Sequence, residues 1–292
     1  MHASRLSTVF LGSVLILMLI LKSANADFYV VAGGGKKIGT EIKELPYTIT
    51  DSGGFYFITK NMNAPAGSDA ITVAAGASDV TIDLMGFAVR GPSGSSDQEN
   101  GIYLNTPLYN VEIRNGTLTD FDANGIYAPV SGINGLRIIN VRACYNDHSG
   151  FNLSSAKAVF IKNSTALGND VRGITVGAGS IVVENTSLKN GHDGIYTGSG
   201  STVKGNMSYD NGQTGIYTEG GCTVQGNTCS ENMSGIRAGL GSIVAGNTCY
   251  SNASFGIYLD GGSYVGENTS YANGTNMSAC PACTVSADNH AP

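Results

Sequence analysis

Charge is scarce in this sequence. Only 13% of its 292 residues are Asp, Glu, Lys or Arg, and tryptophan is absent. The acids outnumber the bases by 22 to 16, which argues against a nucleic-acid partner, because such binding draws its affinity from cations set against phosphates. The same sign works against fast capture of polyanionic glycans unless Ca²⁺ or a local basic patch intervenes. Leu, Glu and Lys are sparse after Asp27, which removes the usual material of helical repeats. After the first 26 residues no apolar run approaches the roughly 20 residues of a spanning helix. Cys280-Pro281-Ala282-Cys283 has neither a second CxxC nor a histidine pair beside it, which argues against zinc. It also lacks the βαβ context of a redox motif. A local disulfide is the expected state.

The first 26 residues carry His2 and Arg5, an apolar run from Val9 to Leu21, and Ser23-Ala24-Asn25-Ala26. Small residues at both positions of an A-x-A site, after a run too short to span, specify a secretory signal over 1–26. The chain is therefore expected to be secreted or periplasmic, with no membrane span after cleavage. Removing Arg5 and Lys22 leaves 14 bases against 22 acids, a formal charge of −8.

What the sequence has in abundance is glycine, 41 residues, and a cassette of about 21 residues that recurs from Ile113 onward. Ile113, Ile138, Ile161, Val182, Val203, Val224, Val244 and Val265 form one column, at intervals of 25, 23, 21, 21, 21, 20 and 21. A second column, each member preceded by glycine, is Ile126, Phe151, Ile174, Ile195, Ile216, Ile236 and Ile257, with Gly101-Ile102-Tyr103 upstream. Both are expected to face one interior. Five residues after the first column stand Leu118, Ala143, Ala166, Ser187, Ser208, Cys229, Cys249 and Ser270, whose restricted size suits a packed interior. Three residues further, asparagine recurs at 146, 169, 190, 211, 232, 252 and 273, and a second amide row runs 185, 206, 227, 247 and 268. Amides repeated once per coil can bond to their own copies and close turns. Several lie in Asn-x-Ser/Thr sequons, such as Asn206-Met207-Ser208, whose spacing the repeat already explains.

The period lacks the Leu-x-x-Leu-x-Leu frame of leucine-rich repeats, and the nonapeptide Ca²⁺-binding pattern does not occur. The Gly-Ile-Tyr strands, the asparagine turns and Ser201-Thr202-Val203-Lys204-Gly205-Asn206 resemble the right-handed, pectin-lyase-like parallel β-helix family over roughly 70–273. That resemblance implies an all-β, single-stranded solenoid with an N-terminal cap. Its parts are a signal (1–26), a cap with first strands (27–79), β-helix repeats (80–273) and a C-terminal tail (274–292). Eight or nine coils at about 4.8 Å each give a rod on the order of 40 Å.

Chemistry concentrates in the turn before the glycine. Asp122, Asp147 and His148, Asp170 and Arg172, then His192 and Asp193 fall in four neighbouring coils. Asp147, His148, Asp170, Arg172, His192 and Asp193 are the catalytic candidates, carboxylates and imidazoles serving as acid and base and Arg172 neutralising negative charge. Paired carboxylates would also cleave a glycosidic bond or hold Ca²⁺; the sequence otherwise calls for no cofactor and no dedicated metal site. Polar turns in a soluble rod explain the same residues. The resemblance implies no complete catalytic set: this chain has Gly191-His192-Asp193 where polygalacturonase-like members carry Gly-His-Gly, and it lacks their Asp-Asp. The tryptophan-containing motif of pectate lyases is absent, and Tyr145-Asn146-Asp147-His148 lacks the proline of the epimerases' Asp-Pro-His. Strand alternation turns Tyr103, Tyr127, Tyr196, Tyr217 and Tyr258 outward as candidate sugar-binding residues. Two readings follow. One is a non-catalytic module for a glycan or envelope component; the other is a polysaccharide lyase, hydrolase or epimerase.

Overall fold

The computed structural model describes residues 39–92 and 98–292, so the signal expected over 1–26 and the first part of the 27–79 segment lie outside the described residues. Among those described there is no helix. The strands, mostly of two to five residues, pair in parallel into one sheet of 11 strands and another of 20. The larger sheet holds two rows side by side, joined where the strands Glu112–Thr119 and Arg137–Cys144 run through both. Three rows of short parallel strands make a solenoid of about 11 turns.

The repeat columns are the rungs. Ile138 pairs with Ile113 and Ile161, and the register continues through Val182, Val203, Val224 and Val244 to Val265. The isoleucine column stacks in the same way from Ile102 to Ile257. All of these side chains are fully buried, each contributing about 1.5–3 kcal/mol relative to exposure. Strands also pair in register outside 80–273. Tyr47–Ile49 stacks on Ile71–Val73, and Thr284–Val285 stacks on Tyr264–Gly266. The solenoid is therefore longer than the eight or nine coils counted from the cassette, about 48 Å at 4.8 Å per rung.

Each regular coil turns at three corners, and each corner joins a left-handed residue to a buried ladder residue. Glu184-Asn185, Lys189-Asn190 and Gly200-Ser201 make the three corners of one coil, with φ of 57°, 54° and 67° at the first member. The backbone N–H and Nδ2 of Asn190 both donate to Asn211 Oδ1, at 3.1 and 2.9 Å, and Asn185 does the same to Asn206. Buried amides with several partners each offset the desolvation that would otherwise penalise them. A third ladder, Ser180, Ser201, Cys222, Ser242 and Ser263, passes one backbone N–H per rung to the next side chain. Its mixture of serine and cysteine conceals it in the sequence.

The glycine of the signature is required by packing. A Cβ on Gly194 would collide with Ser208 Oγ, Gly215 O and Asn211 Nδ2. The small column has a polar duty too: Ser187 and Ser208 each donate 2.7 Å bonds to the carbonyls of Gly194 and Gly215. Cys229 and Cys249 stack in that column as buried free thiols. Cys280 and Cys283 form a disulfide.

Candidate functional site

The turn that closes each coil ahead of the Gly-Ile strand carries three columns. Asp147 and Asp170 occupy the first; His148, Val171 and His192 the second; Ser149, Arg172 and Asp193 the third. Of the six catalytic candidates, this arrangement unites three. Asp193 is buried at 4% exposure, and its Oδ2 accepts from Arg172 Nε at 3.0 Å and lies 3.1 Å from His192 Nδ1. Its Oδ1 accepts the Thr214 N–H at 3.1 Å. A carboxylate enclosed by such donors fixes the imidazole's orientation and tautomer, with Nδ1–H donating and Nε2 left as the basic nitrogen. Asp147, His148 and Asp170 stand apart: they are exposed and their side chains reach no hydrogen-bond or ion-pair partner among the described residues. Val171 separates His148 from His192 by a full rung. No group of three or more His, Cys, Asp or Glu side chains among the described residues could hold a metal ion.

Beside this cluster runs the outward column of the 11-stranded sheet. Its order is Tyr103, Tyr127, Asn152, Thr175, Tyr196, Tyr217, Arg237 and Tyr258. All five expected tyrosines are in it, but not as a continuous row. Tyr103 and Tyr127 stack at 5.8 Å; Tyr196 and Tyr217 stack at 5.1 Å with planes 3° apart. The Arg172 guanidinium caps the Tyr196 ring at 4.7 Å, and Arg237 lies between Tyr217 and Tyr258, at 5.4 and 5.3 Å from their centroids. Arg237 is the member of this column that the tyrosine pattern misses; only its register with Tyr217 and Tyr258 betrays it.

Tyr196 also donates to Glu219 Oε1 at 3.0 Å, while Ser199 gives both its hydroxyl and its N–H to Oε2. Burial, followed by the Glu219 bond, raises the Tyr196 hydroxyl above its usual pKa; the Ser199 hydroxyl bond leads the causes that hold Glu219 below the usual carboxylate range. Two shallow depressions open on this side of the molecule. One, of about 330 Å³, involves Asp69, Asn100, Tyr103 and Tyr127; the other, of about 390 Å³, lies around Arg237, Phe255 and Tyr258.

A family model described as "Right handed beta helix region" matches residues 100–242. The described residues have the right-handed parallel β-helix fold. Among solved structures it resembles the A-module of the mannuronan C-5 epimerase AlgE6 of Azotobacter vinelandii, with a TM-score of 0.67 and 18% identity over 84% of this chain and 83% of that one. It is also similar to pectate lyase Pel9A (TM-score 0.57, 13% identity, 83% and 71% covered) and to a variant of the periplasmic alginate epimerase AlgG (0.56, 13%, 82% and 75%). At such identities the likeness is one of fold. A sequence comparison with curated proteins finds no match.

Proposed function

We propose that this β-helix is an exported glycan-binding module whose contact surface is the outer face of the 11-stranded sheet. The carrying observation is the column of tyrosine and arginine, ordered by the rungs and bordered by two depressions. Ring faces along Tyr196, Tyr217 and Tyr258 are occupied by one another and by guanidinium groups, so a sugar would meet ring edges, hydroxyls and N–H donors in place of open stacking platforms. Several solved structures of this fold are named for enzymes of mannuronan, alginate or pectate, which supports a carbohydrate ligand.

The Arg172–Asp193–His192 cluster favours a second reading, in which the same face turns a polysaccharide over. A buried carboxylate that orients a half-exposed histidine beside a guanidinium is a competent acid–base arrangement. One experiment separates the two. The purified chain and its His192→Ala, Asp193→Asn and Asp170→Ala variants are titrated against neutral and uronate polysaccharides, with and without Ca²⁺, while cleavage and epimerisation are followed. Saturable binding without turnover supports the module. Turnover lost in His192→Ala transfers the assignment to the enzyme, and absence of both binding and turnover ends the glycan reading.

A further inference from the structure

The two arginines on this face are not equivalent. Arg172 is neutralised by buried Asp193 at 3.0 Å, whereas Arg237 is exposed and makes no ion pair or side-chain hydrogen bond among the described residues. Two rings hold its guanidinium, Tyr217 on one side and Tyr258 on the other. That clamp reduces the rotamer freedom that an arginine loses on engaging a partner, and it leaves the planar N–H fork unused.

Arg237 lines the depression of about 390 Å³, where Gln213, Ser234 and Ser254 supply amide and hydroxyl groups and Met233 and Phe255 supply apolar surface. The volume falls within the range of small-ligand sites. Its lining contains no carboxylate, although acids outnumber bases in the whole chain. A lone, preorganised cation in an acid-free hollow with both polar and apolar walls matches a sugar ring that bears one anionic group. We propose that this hollow is a subsite for an acidic sugar unit, with Arg237 pairing to its carboxylate or sulfate ester. The proposal rests on the glycan-binding reading and adds the charge of the ligand and the residue that selects it.

The test compares three probes by calorimetry on the whole chain: a hexuronate oligosaccharide, the same oligosaccharide with its carboxyl groups reduced to alcohols, and a sulfated neutral oligosaccharide. An anionic probe is expected to bind roughly 10- to 100-fold more tightly than the reduced one, the range set by a hydrogen-bonded charge. Salt should narrow that gap. Arg237→Gln should abolish the preference while leaving the β-type circular dichroism unchanged, and Arg142→Gln, an exposed position on the 20-stranded sheet, should retain it. Which anionic probe wins identifies the group. Equal binding of reduced and anionic probes, or a preference that survives Arg237→Gln, overturns the subsite and leaves glycan binding standing. No binding of any probe removes the glycan reading and the subsite together.

Discussion

Thr197 and Thr218 are fully buried, and neither hydroxyl has a hydrogen-bond partner among the described residues. They point into the interior from the strands that present Tyr196 and Tyr217, where a stranded hydroxyl costs free energy without specifying anything. Thr218→Val should therefore stabilise the fold by about 1 kcal/mol, seen as a higher denaturation midpoint at unchanged slope. Glu219 is a residue whose effect depends on pH. Its folded pKa lies below its unfolded one, so its contribution is complete above the unfolded carboxylate range and is lost as pH falls through the folded value. Tyr196 has the opposite sign, its share being lost as pH rises through its raised pKa. Glu219→Gln should flatten the acid limb of a stability–pH curve measured by thermal melts; an unchanged limb would refute the assignment. At this scale the sequence was readable where a residue repeats. The Arg172–Asp193 contact could be foreseen because both residues stand immediately before a signature glycine in successive coils. The isolation of Asp147, His148 and Asp170 could not, because sharing a turn does not tell which side chains converge.

The coil is the unit of exchange. Deleting Ser201–Gly221 joins Gly200 to Cys222, so a left-handed corner is again followed by a member of the third ladder, and every column closes over one missing rung. That variant should fold to a shorter solenoid that keeps its β-type circular dichroism and cooperative melting. Deleting Tyr217 alone should cost far more, since a one-residue slip sends buried side chains to the outer face of the strand. The two together measure how much of the architecture resides in register. Register was also what made the regular coils legible: spacing near 21 residues aligns Ile195 with Ile216 and Asn190 with Asn211 without any structural knowledge. The early rungs were hidden by insertions. Asp69, Asn100 and Asn124 form a ladder of their own, yet lie 31 and 24 residues apart, so no fixed period exposes them.

At the scale of the whole molecule, the described strands of each coil pair with those of the coil above and the coil below, and stability should vary along the axis as a sum of neighbour terms. Hydrogen exchange is expected to be slowest in the central coils between Ile174 and Val244 and to quicken over the last strands, Thr275–Ser278 and Thr284–Val285. Uniform protection through those last strands would contradict this one-dimensional picture. The ladders have a further consequence, for manufacture. Asn185, Asn206, Asn232, Asn252 and Asn268 all lie in sequons, yet their amide nitrogens already donate to buried backbone carbonyls of the preceding coil. An oligosaccharide attached there during synthesis would occupy the space of the adjoining rung. Passage through an endoplasmic reticulum should thus yield misassembled, heavily glycosylated product, while a bacterial host without asparagine-linked glycosylation spares the same polypeptide.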